Sequence, residues 1–152
     1  MRQMTIDLDF EQQRPVVIMD KGLTGMLDTG AYIPVWTSKE EFLVKKFNAR
    51  KIAENVEFTG FGGSAYGNLY KATFKVGKII YPDMIIIANN DMDVPFNMIL
   101  SATMFQNLIY EIDDKNHKLN INIPGDESMV RNLHIEDRNG NIVVLCNSVR
   151  NQ

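Results

Sequence analysis

Asp28, Thr29 and Gly30 place an acid, a hydroxyl and a glycine in succession inside an apolar stretch, with Met26 and Leu27 before them and Ala31 and Ile33 to Trp36 close behind. An isolated carboxylate is costly to bury, so an acid kept at this point argues for use rather than packing. The chemistry open to it is proton transfer. Asp28 therefore reads as one half of a two-carboxylate site.

Other chemistry-bearing residues have plainer readings. Gly60 to Ala65 fits a dinucleotide-binding G-x-G-x-x-A pattern by letters, but the residues that follow read as strand where that motif needs a helix. Asp91 and Asp93 suggest a calcium loop, yet Pro95 and the missing glycine and closing glutamate leave a solvated turn. His117 and His134 fall in or beside polar hairpins and read as surface residues. Cys146 lies in an apolar run without a nearby basic partner and reads as core rather than nucleophile. No metal and no cofactor are expected.

At 152 residues the chain is one domain by length, with enough sequence to bury a core. A single cysteine excludes an intramolecular disulfide, and residues 1–7 lack the apolar run of a secretion signal, so a cytoplasmic location is expected. No window is long and apolar enough for a membrane helix. The formal charge of −3, with basic residues scattered, gives no footprint for nucleic acid.

The elements that must position Asp28 are mostly strands. Met4 to Phe10 alternates apolar and polar residues, and Val16 to Met19 is joined through Asp20-Lys21-Gly22 to Leu23–Leu27 as a hairpin. Asp28-Thr29-Gly30 then occupies a loop where the backbone turns at Gly30, before a strand at Ile33–Trp36. Ser38 and Glu41 form a capping box ahead of one short helix, with a weaker helical turn over Ala49–Glu54. Val56 to Phe58 enters a segment with four glycines in the eight positions from Gly60 to Gly67. Strands follow at Leu69–Val76, Ile79–Tyr81 and Met84–Ala88, the last apolar on both faces and hence central. Beyond a polar loop, Phe96–Leu100 is a strand, Ser101 caps a short helix, and Ile109–Ile112 pairs with Leu119–Ile123. Leu133–Glu136 and Ile142–Leu145 form a last hairpin across Asn139-Gly140. The expectation is an all-β fold, a closed or partly open barrel with one or two short helices.

The order of these features resembles the retropepsin-like aspartic proteases, the family of retroviral proteases and of protease-like domains in eukaryotic ubiquitin-shuttle proteins. The resemblance covers roughly residues 12–123 and leaves 124–152 as a C-terminal extension of one domain. Met26-Leu27-Asp28-Thr29-Gly30-Ala31 is similar to the family's active-site loop, and Thr59 to Asn68 to its substrate-covering flap. Ile99-Leu100-Ser101 stands where the family has two apolar residues and glycine. Tyr32 stands where the retroviral enzymes carry an aspartate, and Pro34 where a serine or threonine is common.

The resemblance implies an aspartic endopeptidase with Asp28 catalytic and Thr29, Gly30 and Ala31 forming the active-site loop. It implies substrate contacts from Phe61, Gly62 and Gly63 on the flap and from Ile99 and Leu100 on the groove wall. One Asp-Thr-Gly in a chain half the length of a two-lobed enzyme requires the second acid from another copy, so the partners implied are a peptide substrate and a second copy in a two-fold homodimer. A non-catalytic retropepsin-like module that binds peptide or dimerises is the alternative.

Overall fold

The computed structural model describes residues 2–11, 14–60, 63–105, 108–123, 133–138 and 141–146. Within them the chain is mostly β, with one α-helix. The strands are β1 (Arg2–Glu11), β2 (Arg14–Ile18), β3 (Thr24–Asp28), β4 (Val35–Trp36), β5 (Arg50–Gly60), β6 (Gly63–Val76), β7 (Ile79–Ala88), β8 (Met98–Ser101), β9 (Ile109–Asp113), β10 (Lys118–Ile123), β11 (Leu133–Arg138) and β12 (Asn141–Cys146). Helix α1 (Glu40–Phe47) follows β4, and short 3-10 turns occupy Asp20–Gly22 and Ala102–Phe105.

The strands form a single path, β11-β12-β7-β4-β8-β3-β2-β1-β10-β9, with β5 joined through β6 to β7. Among the described residues β9 and β11 end that path, so the all-β expectation is met by an open sheet, without barrel closure. β1 serves two partners. Arg2 to Asp7 pairs with β10, and Leu8 to Glu11 pairs with β2.

The centre of the sheet is mixed. β8 runs beside β3, with Asp28 opposite Ser101, and also pairs antiparallel with β4. The two strands that flank the Asp28 loop are thus held apart by a third strand from seventy residues further on. β7 takes β6 on one side and, on the other, β4 at Ile87–Ala88 and β12 at Ile79–Ile80, both parallel.

Strand alternation divides the apolar residues between two clusters. Val17, Leu27, Trp36, Ile86, Met98 and Leu100 belong to the main core, together with Leu43 of α1 and Phe74. Their neighbours Val16, Met26, Val35, Ile87 and Ile99 point to the opposite face, into a second cluster with Phe58 and Phe96. Met84–Ala88 is central as expected, because β7 feeds both clusters.

Several local expectations are corrected. The capping box does not form: Lys39 is the N-cap without a side-chain bond, and the Ser38 hydroxyl instead accepts from Asn97 Nδ2. Residues 50–54 are strand, because pairing of β5 with β6 overrides their helical propensity. The strand expected at Ile33–Trp36 shortens to Val35–Trp36, since Pro34 has no N–H to give a ladder. The C-terminal hairpin forms between β11 and β12, while its turn, Asn139-Gly140, lies outside the described residues.

Candidate active site

Asp28 ends β3 half-exposed, and its loop is closed by its own carboxylate. Gly30 N–H donates to Asp28 Oδ1 at 2.9 Å, and Ala31 N–H to the Asp28 carbonyl at 3.1 Å. The residues after β8 brace the far side of the loop. Ala102 N–H donates to the Ala31 carbonyl at 3.2 Å, and the Thr103 hydroxyl to the Tyr32 carbonyl at 3.4 Å. Ser101, fully buried, shares a 2.7 Å hydrogen bond with Thr103. Its φ is not positive, so serine sits there without backbone strain.

Gly30 serves by absence of bulk. Its φ lies outside the left-handed region, but a Cβ would come 3.3 Å from Asp28 Oδ1. Thr29 is exposed, and no described residue engages its hydroxyl.

Beside the carboxylate opens a groove of about 230 Å³. Ala31, Tyr32, Ile33, Val35 and Ile99 form its floor and near wall, while Phe58 and Thr59 of β5 and Met92 of the 89–97 loop form the far wall. Asp28 is the sole carboxylate among these lining residues, which include no His, Lys or Arg. Among the described residues no cluster of three or more His, Cys, Asp or Glu side chains could hold a metal.

The hairpin β5–β6 reaches the groove from a braced root. Asn68 Nδ2 donates to Glu40 Oε2 at 2.9 Å, and its Oδ1 accepts from Asn55 N–H at 3.2 Å, where β5 bulges and Asn55 is left-handed (φ 51°). The Tyr70 hydroxyl also donates to Glu40. Burial raises the Glu40 carboxyl, but the bonds from Tyr70 and Asn68, with the charge of Lys51, outweigh it and hold the carboxyl below its ordinary value. Burial and the bond to Glu40 both push the Tyr70 phenol up. The buried Asn89 donates from Nδ2 to the Tyr66 carbonyl at 2.9 Å. At the other end of its loop, Asn97 Oδ1 accepts from Thr24 N–H at 2.9 Å.

The structure thus brings together Asp28, Gly30, Ala31 and Ile99 from the sequence reading. Leu100 belongs elsewhere: it is fully buried in the main core against Gly25, because adjacent strand residues face opposite ways. Phe61 and Gly62 lie outside the described residues, and Gly63 begins β6 opposite Gly60. Tyr66 is exposed, with its hydroxyl on Glu57, while Tyr70 is buried. Thr59 lines the groove at the start of the segment likened to a flap, whereas Val35, Phe58 and Met92 were not expected there. Alternation from Ile33 and from Val56 could have found Val35 and Phe58; nothing in the sequence marks Met92.

The chain matches no known protein-family model, and no curated protein sequence matches it.

Proposed function

We propose that the protein is an aspartic-type endopeptidase of the retropepsin type that acts as a homodimer in the cytoplasm. The observation that carries this reading is the opening of Asp28 into an apolar groove walled on the far side by the Phe58-Thr59 arm of a long hairpin. An extended peptide laid between the Asp28 loop and that arm would have strand edges for its main chain and apolar walls for its side chains.

Two Asp28 carboxyls facing each other across a two-fold axis would repel when both ionised, so the pair keeps one proton. The ionised member takes a proton from a water as that water attacks the scissile carbonyl, and the protonated member donates to the carbonyl oxygen. The exposed Thr29 and Gly30 are the loop residues available to meet the partner's loop. The described strands of the C-terminal hairpin attach elsewhere on the sheet. β12 joins β7 at Ile79–Ile80, about 25 Å along the strand from the Ile87–Ala88 end that carries β4.

The test is concentration dependence. Peptide cleavage per chain should rise with protein concentration through the dimer dissociation constant measured by sedimentation. Cleavage that stays constant per chain while the protein is monomeric would contradict the reading.

A further inference from the structure

Away from Asp28, two adjoining pockets of about 230 and 550 Å³ share Phe47 and Thr73 and have no lining residue in common with the groove. The smaller has an apolar floor of Met19, Leu23, Phe74 and Ile80, flanked by Lys21 and Lys75. Lys21 Nζ sits 5.1 Å from the Phe47 ring centroid, held over its face. The larger carries Arg50 and Lys71, which lie directly opposite each other in the β5–β6 register.

Like charges directly opposite destabilise a sheet. Neither Arg50, Lys71, Lys75 nor Lys21 has an ion-pair partner among the described residues, where such pairs join Lys51 to Glu54 and Lys118 to Asp7. Asp20 and Asp83 line the pockets without pairing to these cations. Among the described residues, four cations thus line this surface against two acids, in a chain of net charge −3.

We propose that this surface is a second binding site, for an acidic peptide segment carrying an apolar side chain. Lys71, Thr73 and Lys75 share one face of β6 at the two-residue period of a strand, about 7 Å apart, which is also the period of alternate side chains in an extended peptide. The apolar floor takes one uncharged side chain, and the lysines meet the carboxylates on either side. A nucleic acid would want exposed aromatic faces for stacking, but Phe47 is covered by Lys21, and the exposed aromatics Tyr32, Phe42 and Tyr66 line neither pocket. A lipid surface would want exposed apolar side chains, and none of the exposed large apolar residues among those described lies here.

The site is tested by fluorescence anisotropy with a labelled peptide of about ten residues, aspartates and glutamates around one leucine. Its all-amide counterpart, a single-stranded oligonucleotide and phosphatidylserine vesicles serve as comparisons. The acidic peptide should bind in low salt, weaken as salt rises, and lose about tenfold or more in affinity with Lys71→Glu/Lys75→Glu and with Lys21→Gln/Arg50→Gln. Lys71→Arg/Lys75→Arg should restore it. Absence of binding, equal affinity for the amide peptide, indifference to both double variants, or tighter binding of the oligonucleotide or vesicles would overturn the proposal.

Discussion

The backbone of Gly67 passes so close to Ala88 that a Cβ on the glycine would lie 2.4 Å from the Ala88 carbonyl oxygen. This contact seats on β7 the hairpin whose Phe58 and Thr59 line the groove, one residue from the bond between Asn89 and the Tyr66 carbonyl. Backbone cannot yield as a side-chain end can. Gly67→Ala should therefore cost about 1–3 kcal/mol, lowering the melting temperature by roughly 3–10 °C. An unchanged melting curve would show that the hairpin is not seated there.

Ser101 offers a second test, since it stands where the resembled family has glycine. Its φ is not positive, its side chain is fully buried, and its hydroxyl is bonded to Thr103. Ser101→Gly should then destabilise by about 1–2 kcal/mol, through a lost hydrogen bond and a freer unfolded chain. A gain in stability on denaturant unfolding would contradict this.

Glu40 links α1 to the root of the hairpin, and its carboxyl lies below the usual 4.5. A carboxyl depressed in the folded state adds stability above its unfolded value and gives it up as pH falls through the folded one. Melting temperature should fall more steeply below about pH 4.5 in the wild type than in Glu40→Gln, with the variant less stable at neutral pH. Parallel curves would remove Glu40 from the account.

Much of this architecture was legible because alternation and turn chemistry are local. The hairpin at Asp20–Gly22, the central place of Met84–Ala88 and the position of Asp28 at a strand end all followed from neighbouring residues. The parallel pairing of β3 with β8 did not, because register between segments seventy residues apart is set by which faces bury together. Residues 50–54 misled for a related reason: their propensity is helical, and a strand partner decided otherwise. In the site, Ile99 and Leu100 could not both face the groove by alternation alone, whereas Met92 reaches it from a loop without periodic signal.

If Asp28 is half of a catalytic pair, as we propose, Asp28→Asn removes the acid while keeping the side chain's shape. Wild type and variant, both shown to be dimeric by sedimentation, would be incubated from acid to neutral pH with peptides bearing apolar side chains at the scissile bond. The wild type should cleave and the variant lose roughly a thousandfold or more, with the dimer retained. Equal cleavage by both, or none by a dimeric wild type, would contradict the proposal.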